Sequence, residues 1–151
     1  MKVIDILNNT DKPVFSFELV PPLKGGDINK IYEAIEPLIA LAPPFINITF
    51  HRDEVVYREY PDGTIKKVTV TKRPGSVALA AAIMRRYNVD MVPHIVCGGA
   101  TRHKIENELI DLNFLDIENV MALRGDPIPG ERFFTPEEGG HLYSCELVEQ
   151  I

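Results

Sequence analysis

The strongest constraint on this chain is the order of its apolar segments, which alternate between two periods. Short continuous runs of branched and aromatic residues are each followed by a segment whose apolar residues recur every three or four positions. The short runs are typical of parallel strands covered on both faces, and the longer segments predict the helices that join such strands. The sequence therefore predicts a βαβαβαβα order, with strands over residues 14–20, 45–50, 90–97 and 119–123 and helices that begin near Asp27, Ser76, Thr101 and Tyr143.

Residues 51–73 interrupt this alternation. Segments rich in β-forming residues, 55–60 and 64–70, flank the tripeptide Pro61-Asp62-Gly63. An Asp-Gly pair between two such segments is a strong signal for a tight hairpin turn. We therefore predict a β-hairpin insertion at 51–73, which leaves the main body after the second strand.

Two architectures fit the predicted order, an open doubly wound sheet and a (β/α) barrel. A complete barrel needs eight βα units and typically about 250 residues, whereas this chain has 151. Residues 149–151 still follow a helical pattern and carry no C-cap signal. We expect an α/β fold, the first half of a (β/α)8 TIM barrel with four parallel strands, as a single partial domain over residues 1–151.

Charge and composition exclude several classes of partner. The net charge of -6 argues against a nucleic-acid partner, which would require a basic face. No apolar run approaches the roughly 20 residues that span a bilayer, and charges at Asp5 and Asp11 interrupt the start of the chain. Cys97 and Cys145 are far apart and are expected to be free thiols. We therefore expect a cytoplasmic protein with no membrane partner.

Polar residues cluster where the predicted strands end. Glu18, Thr49, His94 and the Arg124-Gly125-Asp126 segment stand at the carboxyl ends of four successive strands. Each has an ordinary structural explanation on its own, such as an ion pair for Glu18 or a packed core position for His94. Together they mark the edge at which parallel α/β sheets and barrels place their sites, because the loops there converge over one face.

Other site chemistries find little support in the sequence. His94, Cys97 and His103 lack a fourth partner at metal-ligand spacing, so we expect no metal site. Neither the GxGxxG dinucleotide fingerprint nor the GxxxxGK[ST] phosphate loop is present.

The segments 15–22 (FSFELVPP), 48–51 (ITFH) and 122–126 (ALRGD) resemble the methylenetetrahydrofolate reductase family in order and separation. The resemblance runs from about residue 13 to residue 151 and covers the first half of the family's catalytic barrel. It implies non-covalently bound FAD, NADH or NADPH as the reductant, and reduction of 5,10-methylenetetrahydrofolate to 5-methyltetrahydrofolate. This reaction belongs to one-carbon metabolism and methionine biosynthesis.

The resemblance also assigns roles to individual residues. Glu18 matches the family's essential acid, which delivers the proton that opens the methylene bridge of the folate. Because burial favours the protonated form of a carboxyl group, an acid in an apolar strand suits this task. Asp126 matches a second catalytic position beside the flavin and the pterin. The remaining matches are cofactor-binding positions: Arg124, Gly125, His94 and Tyr143 at the flavin, and Thr49 near the nicotinamide.

Four strands cannot close a barrel, and this leads to further expectations. We expect side chains such as Phe15, Phe17, Ile48, Val92 and Val120, or their neighbours, to face the barrel interior and to lack an opposite wall. The chain is then expected either to self-associate as a homo-oligomer or to hold an altered open sheet. It is also expected to hold little FAD and to be inactive alone. Two alternatives remain open at this point: a non-catalytic half-barrel that binds or assembles, and an unrelated TIM-barrel enzyme whose Arg-Gly-Asp segment is fortuitous.

Overall fold

The four predicted core strands form one sheet in the computed structural model, which describes residues 1–151. The sheet has the order β1-β2-β5-β6, and a separate two-stranded sheet pairs β3 with β4. The elements in chain order are α1 (Val3–Asn8), β1 (Phe17–Leu19), α2 (Ile28–Ile39), β2 (Phe45–Ile48), β3 (Glu54–Glu59), β4 (Ile65–Val70), α3 (Ser76–Tyr87), β5 (Asp90–Val96), α4 (Arg102–Phe114), β6 (Met121–Leu123) and α5 (Ser144–Gln150).

All three strand pairs of the main sheet are parallel. The chain adds its strands in one direction across the sheet, from β1 at one edge to β6 at the other. The predicted α/β class with four parallel strands is therefore confirmed, and the arrangement is that of a partial barrel.

One face of the sheet forms the hydrophobic core with the helices. Ile46, Ile48, Met91 and Ile95 are 0 to 1% exposed, and they pack in one cluster with buried residues of α3 and α4. Because successive side chains of a strand point to opposite faces, the residues between them lie on the other face of the sheet. We call this other face the inner face; it carries Glu18, Asn47, Val92, His94, Val96, Met121 and Leu123.

The residues named for the barrel interior are wrong in most positions, and their neighbours lie on the inner face instead. Ile48 and Val120 belong to the helix-side cluster, and Phe17 shares its face with Leu19 of the same cluster. Phe15 precedes β1 and is 75% exposed. Only Val92 lies on the inner face, because in the observed register it is the partner of Asn47.

The helices begin where the sequence predicts. Asp27 accepts a hydrogen bond from the Asn29 amide, and Thr101 accepts one from the Lys104 amide, so each caps its helix. Pro37 lies inside α2 without ending it before Ile39. The longest helix has 13 residues, and none of the helices combines the length and apolar character needed to cross a membrane.

Helix α1 is an element that the sequence analysis did not predict. It has no buried residue, and long-range polar contacts hold it in place. The amino group of Met1 lies 2.7 Å from Asp90 and 3.1 Å from Glu118, and the Val3 amide donates to Asn119. A short helix without a buried face has little pattern to detect, because it depends on these tertiary partners.

The hairpin insertion is confirmed as β3 and β4. The two strands pair antiparallel from Glu54↔Val70 to Glu59↔Ile65. Two contacts fix its base to the loop that follows β1: the Lys24 amide donates to the Lys72 carbonyl at 2.7 Å, and Arg73 donates to the Pro21 carbonyl. The hairpin therefore extends from the carboxyl-terminal edge of the main sheet.

We predict that residues 1–151 self-associate in solution. The outer edges of β1 and β6 are unpaired, and Met121 and Leu123 leave 39% and 37% of their surface exposed on the inner face. Light scattering should give a mass of at least a dimer, and Leu123→Lys should shift it towards the monomer. Ile110→Lys, a matched change at a 49% exposed position on α4, should leave the mass unchanged. A monomeric parent chain would contradict this prediction.

Candidate functional site

The carboxyl-terminal ends of the strands open into a cavity of about 780 Å³. Five of the seven residues that the sequence analysis selected line it, and they come from the ends of all four strands of the main sheet: Glu18, Thr49, His94, Gly125 and Asp126. The remaining lining comes from the loop between β2 and β3, from the start of the hairpin, from the end of β5, from Leu123 of β6 and from residues 127–129. The structure thus brings together residues that are up to 108 positions apart.

Glu18 and His94 face each other across β2. The Glu18 Oε2 atom lies 3.7 Å from the His94 Nε2 atom, which is buried and has no hydrogen-bond partner. Burial lowers the pKa of His94, and the nearby Glu18 carboxylate opposes that shift. His94 is therefore a neutral imidazole at pH 7, with one ring nitrogen directed towards an acid.

The expected burial of Glu18 is wrong. Its side chain is 57% exposed, because β1 is an edge strand and the carboxyl group reaches the open side of the cavity. The protein alone therefore leaves this carboxyl group in contact with solvent. A ligand that fills the cavity would have to supply the desolvation.

Thr49 continues β2 into the cavity. Its amide donates to the Leu19 carbonyl at 2.9 Å, and its Oγ1 lies 3.3 Å from the His51 Nε2 atom. Burial and the positive charge of Arg73 both lower the pKa of His51. Thr49 and His51 thus form a neutral polar pair beside the acid.

Gly125 is required by the geometry of the loop after β6. Its φ is +85°, and a Cβ atom there would lie 2.5 Å from Cγ1 of Val96. The glycine therefore permits a close approach between the β6 exit and the inner face of β5. Asp126 follows on this tight loop, exposed at the edge of the cavity.

Arg124 and Tyr143 do not line the cavity. The guanidinium group of Arg124 lies over the ring of Phe134, 5.4 Å from its centroid. The Tyr143 carbonyl accepts from the Cys97 thiol at 3.7 Å, while Tyr143 itself is 53% exposed. Their flavin-binding roles remain predictions that rest on the resemblance.

Sequence reasoning missed two residues of this region, Asn47 and Arg52. Asn47 is 7% exposed on the inner face, and its Oδ1 atom has no hydrogen-bond partner. Arg52 lines the cavity and pairs with Glu137 at 2.9 Å, which connects the loop after β2 to the loop after β6. An amide inside an apolar strand was a usable signal for Asn47, whereas the Arg52 pair depends on how two loops meet.

The residues considered for a metal site are separated by the sheet. His94 lines the cavity, whereas Cys97 is buried in the helix-side cluster. No group of three or more His, Cys, Asp or Glu side chains is arranged to hold a metal ion.

We predict that Gly125→Ala destabilises the fold more than Gly130→Ala. Both glycines have positive φ, which costs an alanine about 1–2 kcal/mol, but only at Gly125 does the added Cβ meet another atom within 4 Å. The expected loss in the free energy of unfolding is about 2–4 kcal/mol at Gly125, measured by urea denaturation. Equal losses in the two variants would contradict the close approach to Val96.

The burial of His94 leads to a pH-dependent stability. Its pKa is lowered in the folded state, so the unfolded chain binds the proton at higher pH. The contribution of the neutral His94 ring to the free energy of unfolding is complete above the ordinary pKa of about 6.5. It is lost as the pH falls through the folded-state pKa. NMR titration of the ring should show this pKa falling further in Glu18→Gln, because the opposing carboxylate is removed. Glu33→Gln, an exposed change on α2, should leave it unchanged; an unchanged pKa in both variants would contradict the contact.

Comparisons with known proteins relate this chain to one family. The family model described as Methylenetetrahydrofolate reductase matches residues 2–151. "Methylenetetrahydrofolate reductase (NADH) 1" of Arabidopsis thaliana is 27% identical over 154 residues, which cover 100% of this chain and 23% of the relative. The "5,10-methylenetetrahydrofolate reductase" of Pectobacterium carotovorum is 24% identical, over 90% of this chain and 38% of the relative. In Escherichia coli the protein of that name is 25% identical, over 88% of this chain and 38% of the relative.

The chain thus spans between about a quarter and two fifths of the length of these relatives. The family model, in contrast, matches the chain from its second residue to its last. The chain therefore belongs to the methylenetetrahydrofolate reductase family.

Proposed function

We propose that this chain carries the acid-bearing part of an enzyme that reduces 5,10-methylenetetrahydrofolate to 5-methyltetrahydrofolate. The observation that supports the proposal most directly is the single cavity that Glu18 and Asp126 share with Thr49, His94 and Gly125. Folate reduction in this cavity would need both a protonated carboxyl group and an acceptor for pterin N–H groups. Membership of the family excludes the alternative of an unrelated TIM-barrel enzyme.

Glu18 acts as the general acid in this proposal. The methylene bridge of the folate must open to an iminium ion before it accepts hydride, and opening requires a proton on a bridge nitrogen. Glu18 reaches the open side of the cavity, where a bound folate would exclude water from the carboxyl group. Burial lowers the pKa of His94, 3.7 Å away, so this ring competes less for the carboxyl proton than an ordinary imidazole would.

Asp126 orients the pterin in this proposal. Its carboxylate is exposed at the cavity edge opposite β1, and it accepts hydrogen bonds from the N–H groups of the pterin ring. Gly125 fixes the position of this carboxylate, because its positive φ turns the chain directly before it.

The cavity fits the ring system of FAD. Its volume of about 780 Å³ lies within the range of cofactor sites, roughly 300–1,000 Å³. The unpartnered Nε2 atom of His94 and the side chain of Thr49 offer polar contacts to a ring placed there, and Asp126 offers negative charge beside it. The chemistry that bound FAD supplies is the transfer of hydride from NADH or NADPH to the opened folate.

A non-catalytic half-barrel is the second candidate. It is favoured by the exposed inner face of β6. Flavin absorbance of the purified enzyme that contains this chain separates the two candidates, since a binding module has no need for FAD.

We predict that Glu18→Gln in the FAD-loaded enzyme containing this chain abolishes folate reduction and leaves flavin reduction by NAD(P)H within about twofold. Only the folate step needs the acid, and loss of a general acid typically costs about 10²–10⁴ in rate. Stopped-flow measurement of the two half-reactions tests this, with Glu33→Gln, exposed on α2, as the control. Equal losses in both half-reactions would assign Glu18 a structural role.

A further inference from the structure

One face of the hairpin continues outward from the candidate site. Val55 of β3 lines the cavity, and Tyr57 and Glu59 follow it on the same face. Their partners on β4 are Thr69, Lys67 and Ile65 in that order. We call this surface the Tyr57 face; Tyr57 is 74% exposed and Ile65 is 67% exposed.

The two faces of the hairpin differ in the contacts that their side chains make. On the opposite face Val56 and Val68 are paired and half-buried, and the Lys66 ammonium lies 5.1 Å from the centre of the Tyr60 ring. Lys67, directly opposite Tyr57, forms no ion pair within 4 Å, although Lys72 at the hairpin base pairs with Glu54. The Tyr57 face therefore presents an aromatic ring and a free cation side by side.

The charge of the cavity itself explains why a cation outside it matters. Four carboxylates line the cavity, while Arg52, already paired with Glu137, is its only Lys or Arg. An anionic group attached to a ligand in the cavity is therefore repelled from the interior and attracted to Lys67. The lining carboxylates are Glu18, Asp53, Glu54 and Asp126.

We propose that the Tyr57 face binds the p-aminobenzoyl-glutamate portion of the folate substrate. This inference rests on the proposed function, which places the pterin ring in the cavity. Tyr57 lies two residues, about 7 Å, beyond Val55 along the strand, and there it can stack on the aryl ring that follows the pterin. Lys67 then pairs with a glutamate carboxylate.

The test is an NMR titration of the chain with two fragments of the substrate. Free p-aminobenzoyl-glutamate should shift the amide signals of Tyr57, Lys67 and Thr69, whereas tetrahydropterin should shift those around Glu18 and Asp126. Lys67→Glu should weaken binding of p-aminobenzoyl-glutamate about tenfold, and Tyr57→Ala about fivefold. Lys66→Glu makes the same charge change on the opposite face of the same strand, and it should alter binding less than twofold.

The outcomes separate this inference from the proposed function. If tetrahydropterin binds in the cavity while p-aminobenzoyl-glutamate leaves the hairpin signals unmoved, the inference is overturned and the proposed function stands. If Lys67→Glu and Lys66→Glu weaken binding of p-aminobenzoyl-glutamate equally, the inference is also overturned. Binding would then depend on the net charge of the hairpin and not on the Tyr57 face. If neither fragment binds the parent chain, the proposed function fails and this inference fails with it.

Discussion

The alternation of side chains across four parallel strands in fixed register is the constraint on which the rest of this structure depends. Ile46, Ile48, Met91 and Ile95 are buried against the helices, and each fully buried side chain of this type contributes about 1.5–3 kcal/mol. A shift of one residue would turn all of them away from the core, so the register is strongly fixed. Polar residues at the positions between them are thereby directed to the inner face.

The site is therefore a consequence of packing on the other side of the sheet. Glu18 is the register partner of Asn47, and Asn47 is the partner of Val92, two residues before His94. The acid and the imidazole approach each other because helix-side residues on either side of them are buried. Their chemistry differs as well, because the edge strand leaves Glu18 in contact with solvent while the interior strand β5 buries His94 to 4% exposure.

Sequence patterns predicted the order of elements, the hairpin and the edge of the sheet where the site lies. They did not predict which face of each strand points inward, because continuous apolar runs such as 45–48 carry little alternation from which a face can be read. Ile48 and Val120 were assigned to the wrong side for this reason. The burial of Glu18 was also misjudged, since burial depends on which strand stands at the edge of the sheet. The contacts of α1 and the Arg52–Glu137 pair join distant parts of the chain that no local pattern connects.

The way the hairpin is attached has a consequence for how this protein can change over time. Its strands take their ladder hydrogen bonds from each other, and few contacts beyond its base tie it to the barrel strands. Substitutions along β3 and β4 therefore cost the core little stability, whereas those at inner-face positions disturb packing and chemistry together. Mutation can change the hairpin face opposite Tyr57, which carries Val56, Arg58 and Lys66, while the reaction centre stays the same. Variation among close relatives should therefore concentrate on that face rather than at Tyr57 and Lys67.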